Sequence, residues 1–212
     1  MGVKTCRPLQ VPEILPQELV VEGPVSAEQF DQLQMNAKLT NFRPPDRQKE
    51  ALKTISQMPE GMIYAARYGN EIVGYVTFHL PDKHCRWCRH PRALELGGIE
   101  ISPDHRQKGI GAALLKKSFE NPVMEDYIVI TIEFCWHWDL KGSGLGILNY
   151  QRMLEKLFGT AGLVRRDTDD PDILEHPANV LMARVGKNVV KDDIYLFETM
   201  LYEGKDMFYR QL

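Results

Sequence analysis

The sequence predicts a single α/β or α+β domain. A chain of 212 residues holds one full core and is too short for two. Short β-rich segments alternate with helical patterns along its length, without internal repeats or low-complexity tracts.

The elements follow in order. "ELVVEGPV" reads as a first strand, ended by Gly23-Pro24. "SAEQFDQLQMNAKL" begins at a good N-cap, Ser26, and spaces Phe30 and Leu33 as a buried helical stripe. "FRPP" interrupts the chain, and "DRQKEALKTISQM" makes a second helix with an Asp46 cap, closed by Pro59-Glu60-Gly61. "GMIYAARYG" and "EIVGYVTFHL" form a hairpin through a Gly-Asn turn. After a polar loop at 81–92, "LELGGIEIS" resumes strand character, with Ile99 and Ile101 on one face and Glu100 on the other. Gly97 and Gly98 weaken that strand and suit a bulge or a close approach by a ligand. "GIGAALLKKSFE" is helical until Asn121-Pro122, and "YIVITIEFCW" is the strongest strand, alternating as far as Trp136. A loop, the helix "ILNYQRMLEKLFG", a short run "GLVRRDT", the strand "NVLMARVG" and a last helix from 192 to about 203 complete the series. The organisation is an extension at 1–18, a domain at 19–186 and a helical extension at 187–212.

Composition excludes several classes. With 43% apolar residues, 26% charged residues and a net charge of -3, nothing marks the chain as disordered, membrane-spanning or generally nucleic-acid-binding. Prolines and acids in the first twenty residues oppose a secretory signal, so the expected location is the cytoplasm. Met-Gly at the start lacks the Ser or Thr that myristoylation needs at position six, where Cys6 stands. Four cysteines without an export signal are expected as reduced thiols. In "HCRWCRH", Cys85 and Cys88 have metal-ligand spacing beside His84 and His90, but no second ligand pair matches them. A polar surface loop without metal is the expectation.

The chemical signal lies in "EISPDHRQKGIGAALLKKSF", residues 100–119. A basic turn between strand and helix leaves the first helical N–H groups without intrahelical partners. The helix dipole, the glycines, Arg106 and Lys108 then make a cradle for phosphate or pyrophosphate. The spacing is neither that of a P-loop nor that of a dinucleotide fingerprint.

Arg106-x-x-Gly109-x-Gly111, between a strand and a helix, resembles the acyl-CoA loop of the GNAT family of N-acetyltransferases, and the order of elements over about residues 20–185 is similar to that family's. The resemblance implies a mixed, mostly antiparallel central sheet flanked by helices, with acetyl-CoA as cosubstrate. It places Arg106, Gln107, Lys108, Gly109, Ile110, Gly111 and Ala112 around the pyrophosphate. Ile99, Ile101 and Asn149 then lie along the pantetheine arm. A closer resemblance, in "EGPVS", "FRPP", "EIVGYVTF", "YIVITIEFCWHWDLKG", "TDDPDI", "HPANVLM" and "VGKNV", is to a branch of the family that acetylates protein. It implies that the chain modifies a lysine of acetyl-CoA synthetase and switches that enzyme off, in acetoin and acetate utilisation.

Acetyl transfer to an amine needs a positioned donor, a neutral amine and stabilisation of the oxyanion. Lysine, with a reference pKa of about 10.4, needs a proton acceptor at neutral pH. Glu100, on the strand entering the loop, is the first candidate base, and Glu133 on the long strand is the second. A tyrosine late in the following helix serves as acid in many relatives, but Leu157 and Phe158 stand there and Tyr150 falls too early. In "CWHWDLKG", His137 and Asp139 are candidate substrate-binding residues, alternating with Trp136 and Trp138 if the strand continues. Two other functions fit the same residues: acetylation of a small-molecule amine, and acetyl-CoA sensing by a weak catalyst that regulates by binding. A monomer or weak dimer is expected.

Overall fold

The computed structural model describes residues 18–203. Eight strands form one mixed sheet: β1 (Leu19–Glu22), β2 (Gln34–Met35), β3 (Met62–Tyr68), β4 (Glu71–His79), β5 (Ala93–Ile101), β6 (Ile128–Glu133), β7 (Val164–Arg166) and β8 (Val180–Val185). Their order is β1-β3-β4-β5-β6-β8-β7, with β2 beside the start of β4. The β5 and β6 pair is parallel, as is the short β2 and β4 pair, and the others are antiparallel. The helices are α1 (Ala27–Asp31), α2 (Pro45–Ser56), α3 (Ile110–Phe119), α4 (Leu140–Ser143), α5 (Ile147–Gly159), α6 (Pro171–Leu174) and α7 (Lys191–Met200).

The helices divide between the two faces. Ile110, Leu114 and Leu115 of α3 and Leu154 and Phe158 of α5 bury against Val76, Leu94, Leu96 and Val129 on one face. On the other, Phe30 and Leu52 from α1 and α2 cover Ile63, Ile72 and Tyr75, while Phe197 and Met200 of α7 cover Ile128, Ile130 and Leu181. The last helix therefore belongs to the core. Trp87, in the loop after β4, is fully buried in the α7 cluster. That loop is thus anchored from within, unlike the surface loop the sequence suggests. His90 Nε2 lies 2.8 Å from the Asp193 carbonyl, and Cys88 Sγ points to the Lys83 carbonyl. Among the described residues no three His, Cys, Asp or Glu side chains converge as metal ligands, and no helix is long and apolar enough to cross a membrane.

Three elements depart from the sequence reading. The first helix keeps its Ser26 cap but ends at Asp31, because β4 starts beyond the end of β5 and its free edge is taken by Gln34–Met35. The second helix starts one residue before Asp46: Pro45 occupies the first turn and Gln48 N–H donates to the Pro44 carbonyl. The long strand ends at Glu133. Cys135–His137 turns as a 3-10 helix, with Cys135 N–H donating to Asn179 Oδ1 at 3.0 Å.

Candidate active site

The gap between β5 and β6 is where the chemistry collects. The strands pair only at Ala93 with Ile128, Leu94 with Val129 and Glu95 with Ile130, then part. The cause is local. Thr77 faces Gly98 and Phe78 faces Leu96, so Gly97 is an extra residue that bends β5 away. A β-carbon at Gly97 would collide with the His79 imidazole, which a side chain there would displace. The cleft opened in this way is lined from both sheet faces. Tyr150 and Leu154 bound it on the α5 side; Asn41, Phe42 and Phe134 bound it on the other.

Backbone direction makes the β5 edge useful. Ser102 N–H donates to the Val73 carbonyl at 2.8 Å. By alternation, the main-chain groups of Ile99 and Ile101 turn away from β4, toward the gap that β6 has vacated. Their side chains pack on the α3 and α5 cluster.

At the same end lies the N-terminus of α3. Gln107 and Gly109 both adopt left-handed conformations, with φ of 61° and 77°. Gln107, Lys108 and Gly109 are exposed, while the Ile110 side chain anchors the helix in the core. The first intrahelical bond runs from Ala113 N–H to Gly109 C=O, so the N–H groups of Ile110, Gly111 and Ala112 precede it and project from the helix end. A β-carbon at Gly111 would sit 3.2 Å from Leu157 Cδ1, so this glycine also lets α3 approach α5. These donors, with Arg106 and Lys108, fit a pyrophosphate.

Arg106 is already engaged. Its Nε donates to the Ile101 carbonyl at 3.2 Å and its Nη2 meets Asp139 Oδ2 at 2.8 Å. Asp139 caps α4 by accepting from Gly142 N–H. Burial alone would raise its carboxyl, but Arg106 and Gly142 hold it below the usual range. His137 lines the cleft, and its carbonyl accepts from Asn41 Nδ2 at 3.1 Å. With the strand ended, the tryptophans separate: Trp138 is buried and stacks on Tyr150, whereas Trp136 is exposed.

The acidic candidates occupy different surroundings. Glu133 lines the cleft, with Trp138 Nε1 donating to Oε2 at 3.2 Å and the Thr131 hydroxyl to Oε1 at 3.0 Å. Burial pushes its carboxyl above the ordinary carboxylate range, against those bonds, and the charge of Glu95 adds to the rise. Glu100 is 5% exposed and lies outside the lining. Its Oε1 accepts from Asn41 N–H at 2.8 Å and its Oε2 from the Tyr75 hydroxyl at 2.6 Å. Burial first, then the Glu100 charge, keeps the Tyr75 phenol protonated.

One titratable position escaped the sequence reading. Glu95 faces His79 across the hairpin, and burial raises its carboxyl against the opposing charge of His79. The Gly97-Gly98 pair was the available signal for such a site. Tyr150 lines the cleft, and burial raises its phenol. Asn149, beside it, is exposed and accepts from Arg152 at 3.2 Å, outside the cleft lining.

A parted parallel strand pair beside a glycine-cradled helix end defines an acyl-CoA-dependent transferase site, and comparison with known proteins gives the class. Residues 29–121 match the model of the Acetyltransferase (GNAT) family. The chain belongs to that family and is an acetyl-CoA-dependent N-acetyltransferase. Among its relatives are the acetoin utilization proteins AcuA of Bacillus licheniformis and Bacillus subtilis, 43% and 45% identical over 192 residues, which are 90% of this chain and 91% of each relative. The crystal structure of an acetoin utilization protein from Exiguobacterium sibiricum has a TM-score of 0.86 and 40% identity, covering 92% of this chain and 100% of that one.

Proposed function

We propose that this protein is a protein-lysine N-acetyltransferase that acetylates and inactivates acetyl-CoA synthetase in acetoin and acetate utilisation. The carrying observation is a cleft lined from both faces of the sheet, so that donor and acceptor have separate approaches. The names of the AcuA relatives support the metabolic setting.

Acetyl-CoA, when bound, supplies an activated acetyl thioester. The N–H groups at the start of α3, with Arg106 and Lys108, hold its pyrophosphate, and the Ile99 and Ile101 main chain guides the pantetheine arm. An N–H of that strand edge donates to the acyl oxygen as charge develops there. Glu133 accepts the proton of the incoming ammonium at a carboxylate oxygen; its raised pKa makes it a stronger base than an exposed carboxylate. As the C–N bond forms and the C–S bond breaks, Tyr150, kept protonated by burial, donates its phenolic proton to the leaving sulfur and regains one from the former amine nitrogen, while Glu133 returns its proton to solvent. Glu100, held by Asn41 and Tyr75, fixes the loop that carries Phe42.

Labelled acetyl-CoA offered together with purified acetyl-CoA synthetase and a panel of polyamines and aminoglycosides tests this reading. Label on one synthetase lysine, with loss of synthetase activity, is expected. Label only on small amines, or tight acetyl-CoA binding without transfer, would overturn it.

A further inference from the structure

Trp136 is 52% exposed, an unusual position for so large an apolar surface, yet it is firmly held. Its ring stacks on Phe134 with centroids 4.8 Å apart and planes at 10°. His137 stands edge-on to both rings at 6.0 Å. The segment is fixed from two directions: Cys135 N–H donates to Asn179 Oδ1, and Asn41 Nδ2 donates to the His137 carbonyl at 3.1 Å. Phe42, also exposed, lies over Gly98 at the same mouth.

Charge and reach identify what this rim receives. Among the described residues no lysine or arginine lines the cleft, and Glu133 supplies its carboxylate. Aromatic faces leading to a carboxylate suit a cation on an aliphatic stem. A lysine side chain spans roughly 6 Å from Cα to Nζ, so with its nitrogen in the gap its own main chain lies at the rim. The residues beside that lysine then meet Phe134 and Trp136. A rigid, half-exposed indole is typical of the anchors that dominate protein recognition.

We propose that Phe134 and Trp136 dock the chain segment flanking the acceptor lysine of a protein, which makes Trp136 a specificity-determining residue needed by protein acceptors and not by free amines. This rests on the protein-acetyltransferase reading above.

The test compares wild type with Trp136→Ala and Trp136→Phe on two acceptors, acetyl-CoA synthetase and Nα-acetyl-lysine amide. Acetyl-CoA affinity is measured by calorimetry and oligomeric state by sedimentation. Expected for the alanine variant is a tenfold or greater rise in KM for the synthetase, with kcat, acetyl-CoA affinity and the rate on the amide within twofold of wild type. The phenylalanine variant recovers most of the loss. Equal losses on both acceptors, or an unchanged KM for the synthetase, overturn the docking role alone. A dimer that Trp136→Ala dissociates assigns the rim to a second copy and also overturns it. Wild-type enzyme that acetylates the amide and not the synthetase overturns the protein-acceptor reading and this inference together.

Discussion

Arg106 and Asp139 form an ion pair, Nη2 to Oδ2 at 2.8 Å, that ties the turn before α3 to the segment following β6. Arg106 also bonds the Ile101 carbonyl, so one guanidinium spans the strand edge, the turn and α4. Arg106→Ala is expected to weaken acetyl-CoA binding about tenfold, near 1.4 kcal/mol. Asp139→Asn keeps the cap on Gly142 and is expected to weaken it only about threefold, because the arginine loses its orientation and keeps its charge. Calorimetry at two salt concentrations checks both.

Glu133→Gln is expected to lower kcat by about 100-fold or more at neutral pH with little change in acetyl-CoA affinity. The same change should stabilise the fold. The carboxyl has a higher pKa folded than unfolded, so its contribution is complete below the unfolded value and is lost as pH rises through the folded one. The glutamine variant should therefore gain Tm relative to wild type at pH 8 and not at pH 4. Thermal melts across that range decide the sign.

Tyr75→Phe removes the donor to a carboxylate that is 5% exposed. A loss of about 1–3 kcal/mol in stability is expected, read by urea unfolding. Glu100→Gln, which keeps an acceptor for Asn41 N–H, should retain kcat within about tenfold if its role is to position the loop. A loss as large as that of Glu133→Gln would make Glu100 the base.

Gly109→Ala places a side chain at φ 77° with open space around it, so its cost of about 1–2 kcal/mol is backbone strain. Gly111→Ala meets Leu157 instead, whose side chain must give way where α3 packs on α5. Both should lower Tm by a few degrees, and both should weaken acetyl-CoA binding because the same N–H groups are displaced.

The turn into α3 was legible because its determinants are neighbours in the chain. Arg106, Gly109 and Gly111 gain their meaning from spacing together with the order of the elements around them, and the alternation of Ile99, Glu100 and Ile101 fixes their faces. What escaped depends on distant partners. The alternation from Ile128 to Trp136 has no internal stop; the strand ends where Asn179, 44 residues away, captures Cys135 N–H. β2 forms because β5 ends before the edge of β4 is covered, a matter of two strand lengths that neither segment encodes alone. Glu95 stayed hidden for a subtler reason. The bulge at Gly97 shifts the side-chain parity of β5, so a count from Ile101 back through the glycines gives the wrong face.

A gap that crosses a sheet has two doors. In the reaction proposed above, spent coenzyme leaves by the side of α3 and α5 while a modified protein still rests on the aromatic rim of the other. The exchange of coenzyme then sets no limit on how long the partner stays, and product-inhibition kinetics should follow a ternary complex with no enforced order of departure.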